Sequence, residues 1–249
     1  KDIEEGSKHG EDKPFYLGMP EGEGEPLPEF NWEEGEGDEL QRTTLYDLHE
    51  ELGARMVPFA GWEMPVRYDS VLEEHRAVRE TAGLFDVTHM GVYQAEGPHA
   101  MAFLDSVCGN DISSLRVGES LYTHLLDPDA NVIDDLLVYR RCDKKYLAVV
   151  NSANDAKDWA WLNAVREGRV KIGNQRPWVK AYGRGVKLRN LRDPIEGDDQ
   201  RVDLALQGPL SHKILLSLDI NEEDRRKINH LRWAEVCEAN INGMDVVVA

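Results

Sequence analysis

An α+β fold is predicted by three observations. Strand-like and helix-like stretches alternate along the chain without the regular βαβ rhythm of a parallel sheet. Strand signals at residues 121–126, 132–139 and 146–151 follow one another as two hairpins in series, the pattern of an antiparallel sheet. Apolar residues at helical spacing, such as Trp159, Leu162 and Val165, are confined to short segments. No repeat recurs at a fixed period.

Composition bounds the function classes. The chain has 249 residues and a formal net charge of −18, of which residues 1–40 carry −11 with 14 acidic and 3 basic side chains. Neither part offers the clustered Lys and Arg that a nucleic acid or an anionic membrane surface requires. No apolar run approaches the roughly 20 residues of a membrane span, and no basic-then-apolar leader opens the chain. Cys108, Cys142 and Cys237 are odd in number and far apart. They fit neither a disulfide framework nor a close-spaced zinc site, so free thiols and a cytoplasmic location are expected.

Residues 1–42 form an acidic Gly/Pro-rich extension whose composition cannot offset its ordering entropy, so an irregular arm is expected. Phe15, Tyr16, Leu17, Phe30 and Trp32 are the residues able to pin it to the body. The globular part, residues 43–249, opens at Thr43-Thr44 as an N-cap, with a helix through Leu45, Leu48 and Leu52 and Gly53 as its stop. The Pro- and Gly-punctuated run 56–65 is expected to be a packing loop rather than a strand. Ser70 and Glu73 predict a capping box for a helix over 71–81, ended by Gly83. Strands follow at 84–87 and 91–95, and Pro98 opens a helix through Met101, Leu104 and Val107. After the three-strand run, a helix covers 155–165. Residues 173–200, with Arg176, Lys180, Arg184, Lys187, Arg189 and Arg192 ahead of an acidic turn, read as a solvated surface insertion. A strand at 202–207, a helix over 210–218 and strands at 233–239 and 244–249 complete the chain. The last strand runs to Ala249, as expected of a piece of a longer chain.

The stretch Val132-Ile133-Asp134-Asp135-Leu136-Leu137-Val138-Tyr139 sets two carboxylates inside a largely apolar strand. An ionised carboxylate in a dry strand is costly unless paired. Alternation sends Asp134 and Asp135 to opposite faces. Either both are solvated at a frayed strand start, or one lines a cleft and works on a ligand. Tyr122 and Tyr139 lie on neighbouring strands and Asn151 ends the third. They either converge with the carboxylate on one cleft, which would suit a flat hydrogen-bonding heterocycle, or are core tyrosines and a turn amide. His75, His89 and His124 are scattered, and Asn110-Asp111 reads as a turn and helix cap. No Gly-rich phosphate loop, His-Glu-x-x-His or Gly-x-Ser-x-Gly is present.

Thr44-Leu45-Tyr46-Asp47-Leu48-His49 and Leu52-Gly53-Ala54-Arg55-Met56-Val57-Pro58-Phe59-Ala60-Gly61-Trp62-Glu63-Met64-Pro65 resemble the opening of the glycine cleavage system T-protein (aminomethyltransferase) family. Glu74–Arg79, Gly83–Gly91, Asn110-Asp111-Ile112, Val132–Leu136, Val149–Asn154 and Leu206–Pro209 continue the resemblance in the family's order. It is close over residues 43–165 and looser over 202–249. It implies a folate-binding aminomethyltransferase-type fold, with the family's C-terminal β-barrel and later folate contacts lying outside these residues. The implied activity is transfer of a one-carbon unit from the aminomethyl-lipoyl carrier (H) protein to tetrahydrofolate, as co-substrate, with release of ammonia and no metal. The implied catalytic carboxylate is Asp135. Met90, Tyr122, Tyr139 and Asn151 match folate-lining positions of the family. Ala130-Asn131 stands where the family has Gly-Gly, and Asn131 is expected to supply the positive φ of that turn. A folate-dependent demethylase of an N-methyl or O-methyl compound and a non-catalytic folate-binding protein remain as alternatives.

Overall fold

The computed structural model describes residues 24–35, 39–180 and 185–249. Its elements run β1 (Gln41–Arg42), α1 (Tyr46–Glu51), β2 (Arg55–Phe59), β3 (Trp62–Arg67), α2 (Val71–Glu80), β4 (Gly83–Asp86), β5 (Gly91–Glu96), α3 (Ala100–Asp105), β6 (Ser120–Leu126), β7 (Val132–Cys142), β8 (Lys145–Val150), α4 (Asp155–Arg166), β9 (Lys187–Asn190), β10 (Leu204–Gln207), α5 (Ser211–Leu216), α6 (Glu222–His230), β11 (Cys237–Ile241) and β12 (Met244–Val248). The expected α+β class is observed. A five-stranded sheet ordered β6-β7-β8-β5-β9 is antiparallel throughout. Smaller sheets are β2-β3 with β1 added in parallel, β4-β10 and β11-β12. Among the described residues no helix is long and apolar enough to cross a membrane.

One face of the five-stranded sheet carries the main core. Tyr93, Leu125, Leu136, Val138, Ala148 and Val150 from the strands meet Phe103 and Leu104 of α3 and Trp161, Leu162 and Val165 of α4. The opposite face is only partly covered, by a small cluster of Val92, Leu147 and Leu191 with Tyr139 and Val149. A third cluster, Ile220, Ile228, Ala239 and Ile241, joins α6 to the β11-β12 hairpin.

Several expectations are corrected. Residues 56–65 are not a loop but the β2-β3 hairpin, turned at Ala60 (φ 48) and Gly61 (φ 83). Two successive positive φ values give a type I′ turn, whose twist matches the strands. Pro58 sits on an edge strand and Pro65 beyond the reach of the two-residue β1, so neither breaks a ladder that needs its N–H. Thr43 does not cap α1; its hydroxyl donates to Asp86 at 2.6 Å instead. Ser70 precedes α2 without a side-chain cap bond, and Glu74 rather than Glu73 receives the free N–H groups, those of Tyr68 and Asp69. In the turn before β7, Ala130 rather than Asn131 takes the positive φ (64), while Asn131 donates twice to the Asp127 carboxylate.

The stretch 173–200 is not only a surface insertion. Its residues 187–190 are β9, the sheet's edge strand beside β5. Arg189 pairs with Glu196 and Asp199, and Arg192 reaches inward to the Met90 and Arg201 carbonyls and to Asp203. Arg184 lies outside the described residues. Helix α6 had no place in the sequence expectation. Asn221 caps it, accepting from the Asp224 N–H at 2.9 Å.

Much of the arm, including Phe15, Tyr16 and Leu17, lies outside the described residues. Residues 24–35 have no helix or strand. Two backbone bonds, Leu27 N–H to the Pro177 carbonyl and Lys171 N–H to the Pro28 carbonyl, and the Phe30 ring set edge-on to Trp161 at 5.2 Å, hold them on the body. Phe30→Ala is therefore expected to release this stretch at a cost of about 1–2 kcal/mol. Limited proteolysis checks it: cleavage at 24–35 should speed up several-fold while the body's melting temperature changes little.

Candidate active site

The backbone register of β7 decides which carboxylate faces what. Asp134, Leu136 and Val138 point into the α3/α4 core, and Asp134 is 4% exposed. Asp135 and Leu137 point to the open face and are exposed. Cross-strand partners share a face, so Tyr122 and His124 of β6, opposite Leu137 and Asp135, stand with Asp135. Tyr122 is 54% exposed. The Asp135 carboxylate beside it is the largest cause of the phenol's raised pKa.

Asp134 is not frayed or solvated. Its Oδ2 accepts the Asn151 backbone N–H at 3.0 Å, and its Oδ1 accepts the side-chain amides of Asn151 (3.0 Å) and Asn154 (2.6 Å). Burial is tolerated because the charge is met by these donors. The Asn151 amide also reaches the Asp135 carbonyl at 2.9 Å and the Asp135 carboxylate at 3.3 Å. It has two protons for three acceptors, so it clamps both aspartates to the end of β8.

The ladder brings the remaining residues together unequally. Leu136 pairs with Val150, and Val150 with Gly91, so Asp135, Asn151 and Met90 sit at one end of three adjacent strands. Met90 is half-buried, and its carbonyl is held by the Arg192 guanidinium at 2.8 Å. Gly91 follows because a Cβ there would collide with Asp155 Oδ1 and Val150 Cγ2. The β2-β3 turn borders the same end: the Ser152 hydroxyl donates to the Ala60 carbonyl at 3.2 Å, and the Phe59 ring lies edge-on to His89 at 5.4 Å. Burial lowers the His89 pKa, favouring neutral imidazole.

Tyr139 is set apart. It shares Asp135's face but lies four positions further along the strand, about 13 Å away. Its ring packs with Val92, Leu147 and Leu191, and burial raises its pKa.

Sequence reasoning missed Asn154, Asp158 and the Ala60 turn. Asn154 and Asp158 lie on the short turn and helix after β8, and a polar-rich Asn-x-x-Asn-x-x-x-Asp run behind a buried strand was the available signal. The Ala60 turn was masked by its flanking prolines.

Comparison with known proteins bears on this geometry. The family model described as GCVT N-terminal domain matches residues 45–249. The chain belongs to that family. The aminomethyltransferase of Symbiobacterium thermophilum is 46% identical over 179 residues, 72% of this chain and 43% of the relative. That of Bacillus subtilis is 36% identical over 210 residues, covering 84% of this chain and 51% of the relative. Among solved structures, the glycine cleavage system aminomethyltransferase T of Bartonella henselae superposes with a TM-score of 0.65 at 33% identity, over 81% of this chain and 48% of its own. The chain spans about half the length of these GCVT relatives.

Proposed function

We propose that this GCVT domain supplies the catalytic half of an aminomethyltransferase that moves a one-carbon unit from an aminomethyl-lipoyl carrier protein to tetrahydrofolate. The observation that carries the reading is Asp135: an exposed carboxylate at a strand end, held by the Asn151 amide and sharing its face with the Tyr122 ring on the neighbouring strand. Naming of the relatives as aminomethyltransferases favours it over a demethylase.

The step balances as follows. The folate N5 and N10 form two bonds to the donor methylene, and its C–N and C–S bonds break. The two protons leaving N5 and N10 go to the departing ammonia and the lipoyl sulfur. Asp135 hydrogen-bonds the folate N–H groups and helps move these protons; a positioned group of this kind is typically worth about 10²–10⁴-fold. Tyr122 gives the flat pterin an exposed ring to lie against, and Asn151 and Met90 line the strand end. Tyr139 lies at the outer limit of such a pocket.

The test is tetrahydrofolate titration into full-length Tyr122→Ala and Asn151→Ala, beside a transfer assay with lipoylated carrier. Each variant is expected to weaken folate binding about tenfold, near 1.4 kcal/mol. Wild-type affinity in both variants would remove the pocket from this face.

A further inference from the structure

Asp158, on the core side of α4, is 0% exposed. Neither of its carboxylate oxygens meets an N–H or O–H donor among the described residues. Asp158 lies one helical turn beyond Asn154, whose amide holds Asp134 Oδ1, so it stands on the side of α4 that faces the Asp134 carboxylate of β7. Asp134 already accepts from Asn151 twice and from Asn154. Two ionised carboxylates cannot face one another in a dry core without a cation between them. Lys157, adjacent in sequence, directs its ammonium to the Asn154 side chain at 2.9 Å. Asp155 adds a further acidic charge and is occupied by the Tyr93 phenol, which donates to its carboxylate and, at 2.6 Å, to its carbonyl. A proton between Asp158 and Asp134 is what lets this group of residues stay buried. Asp134 has three other donors, so it is the better place for the charge, and Asp158 for the proton.

We propose that Asp158 is a positioning residue: its carboxyl hydroxyl donates to Asp134 and so fixes the Asn151 clamp that orients Asp135. This rests on the reading of Asp135 as the catalytic carboxylate. The connection runs from Asp158 through Asp134 and the Asn151 amide to Asp135, from the core side of the sheet to its open side. Burial first, and Asp134 second, push the Asp158 carboxyl up to about 9. The folded pKa therefore lies above the unfolded one. The folded protein holds an extra proton between the ordinary carboxyl range and about 9, so this group's contribution to stability is full at low pH and is lost as pH rises through that window.

The experiment measures kcat and folate KM against pH for full-length wild type, Asp158→Asn, Asp158→Ala and Asp135→Asn. An asparagine amide can donate to Asp134 without titrating; alanine cannot donate. Expected are a fall in wild-type kcat as pH approaches about 9, absence of that limb in Asp158→Asn with near-normal kcat at neutral pH, and a loss of about tenfold or more in kcat for Asp158→Ala with KM little changed. Wild-type kcat in a folded Asp158→Ala, or an unchanged alkaline limb in Asp158→Asn, overturns the proposal. Should the alanine variant not fold, infrared spectroscopy decides without turnover. A protonated-carboxyl C=O band at neutral pH must be present in wild type and in Asp135→Asn and lost in Asp158→Asn. A band unchanged by Asp158→Asn sinks the idea. Normal turnover in Asp135→Asn sinks instead the functional reading on which it rests, and the two failures are thereby told apart.

Discussion

Asp135→Asn is expected to cut aminomethyl transfer by the full-length enzyme on the order of 10²-fold or more, a barrier increase of about 2.7 kcal/mol. The amide keeps the shape but cannot accept a proton. Asp135 is exposed, and among the described residues its carboxylate takes a 3.3 Å bond from the Asn151 amide, so its replacement leaves the core untouched. Folding and folate affinity should change little, which places the loss in kcat. The neighbouring Asp134→Asn should behave in the opposite order. Its oxygens are buried against three amide donors, and an NH2 group turned toward any of them leaves donors facing each other. A stability loss of about 1–3 kcal/mol is expected there, visible as a lower urea midpoint, with activity falling only as far as the Asn151 clamp loosens. An inactive but stable Asp134→Asn, or a fully active Asp135→Asn, would reverse the assignment of the two faces.

Trp161→Ala is expected to destabilise the domain by about 3–5 kcal/mol, the range for emptying a buried aromatic site. Trp161 is 1% exposed, lies in the main core with Leu162 and Val165, and receives the edge of Phe30 from the arm. Its indole N–H finds no acceptor among the described residues. An unmet buried donor is itself a cost, so Trp161→Phe, which removes it while keeping most of the ring, should lose far less than the alanine variant. Chemical denaturation of the three proteins gives the comparison. An alanine variant as stable as wild type would mean that the α4 side of the sheet is not the folding core. A phenylalanine variant as unstable as alanine would mean that the indole N–H has a partner.

How much of this was legible in the sequence differs by element. The three strands at 120–126, 132–142 and 145–150 and helix α4 were readable because each is a run of local periodicity bounded by turn residues. Helix α6 was not: its segment Glu222–His230 is mostly charged, and its burial rests on Ile228 meeting Ala239 and Ile241 from the hairpin that follows. The β2-β3 hairpin was hidden because proline argues against a strand, and only the sheet order shows that Pro58 and Pro65 leave no necessary bond unmade. Strand β9 is not legible in the sequence because four residues, two of them charged, carry no strand pattern; pairing with β5 supplies what they lack.

The same division runs through the site. That Asp134 and Asp135 part to opposite faces follows from covalent geometry, since successive Cβ atoms of any extended chain alternate. Which face is dry is a property of no single strand. It was decided when α3 and α4 packed on the Asp134 side and left the Asp135 side open. The donors that make a buried Asp134 affordable come from Asn151 and Asn154, and the acid behind it from Asp158, 17 to 24 positions along the chain. Local alternation is fixed by bond geometry before any folding occurs. Charge compensation requires groups distant in sequence to meet, and only the closed chain brings them within hydrogen-bonding reach.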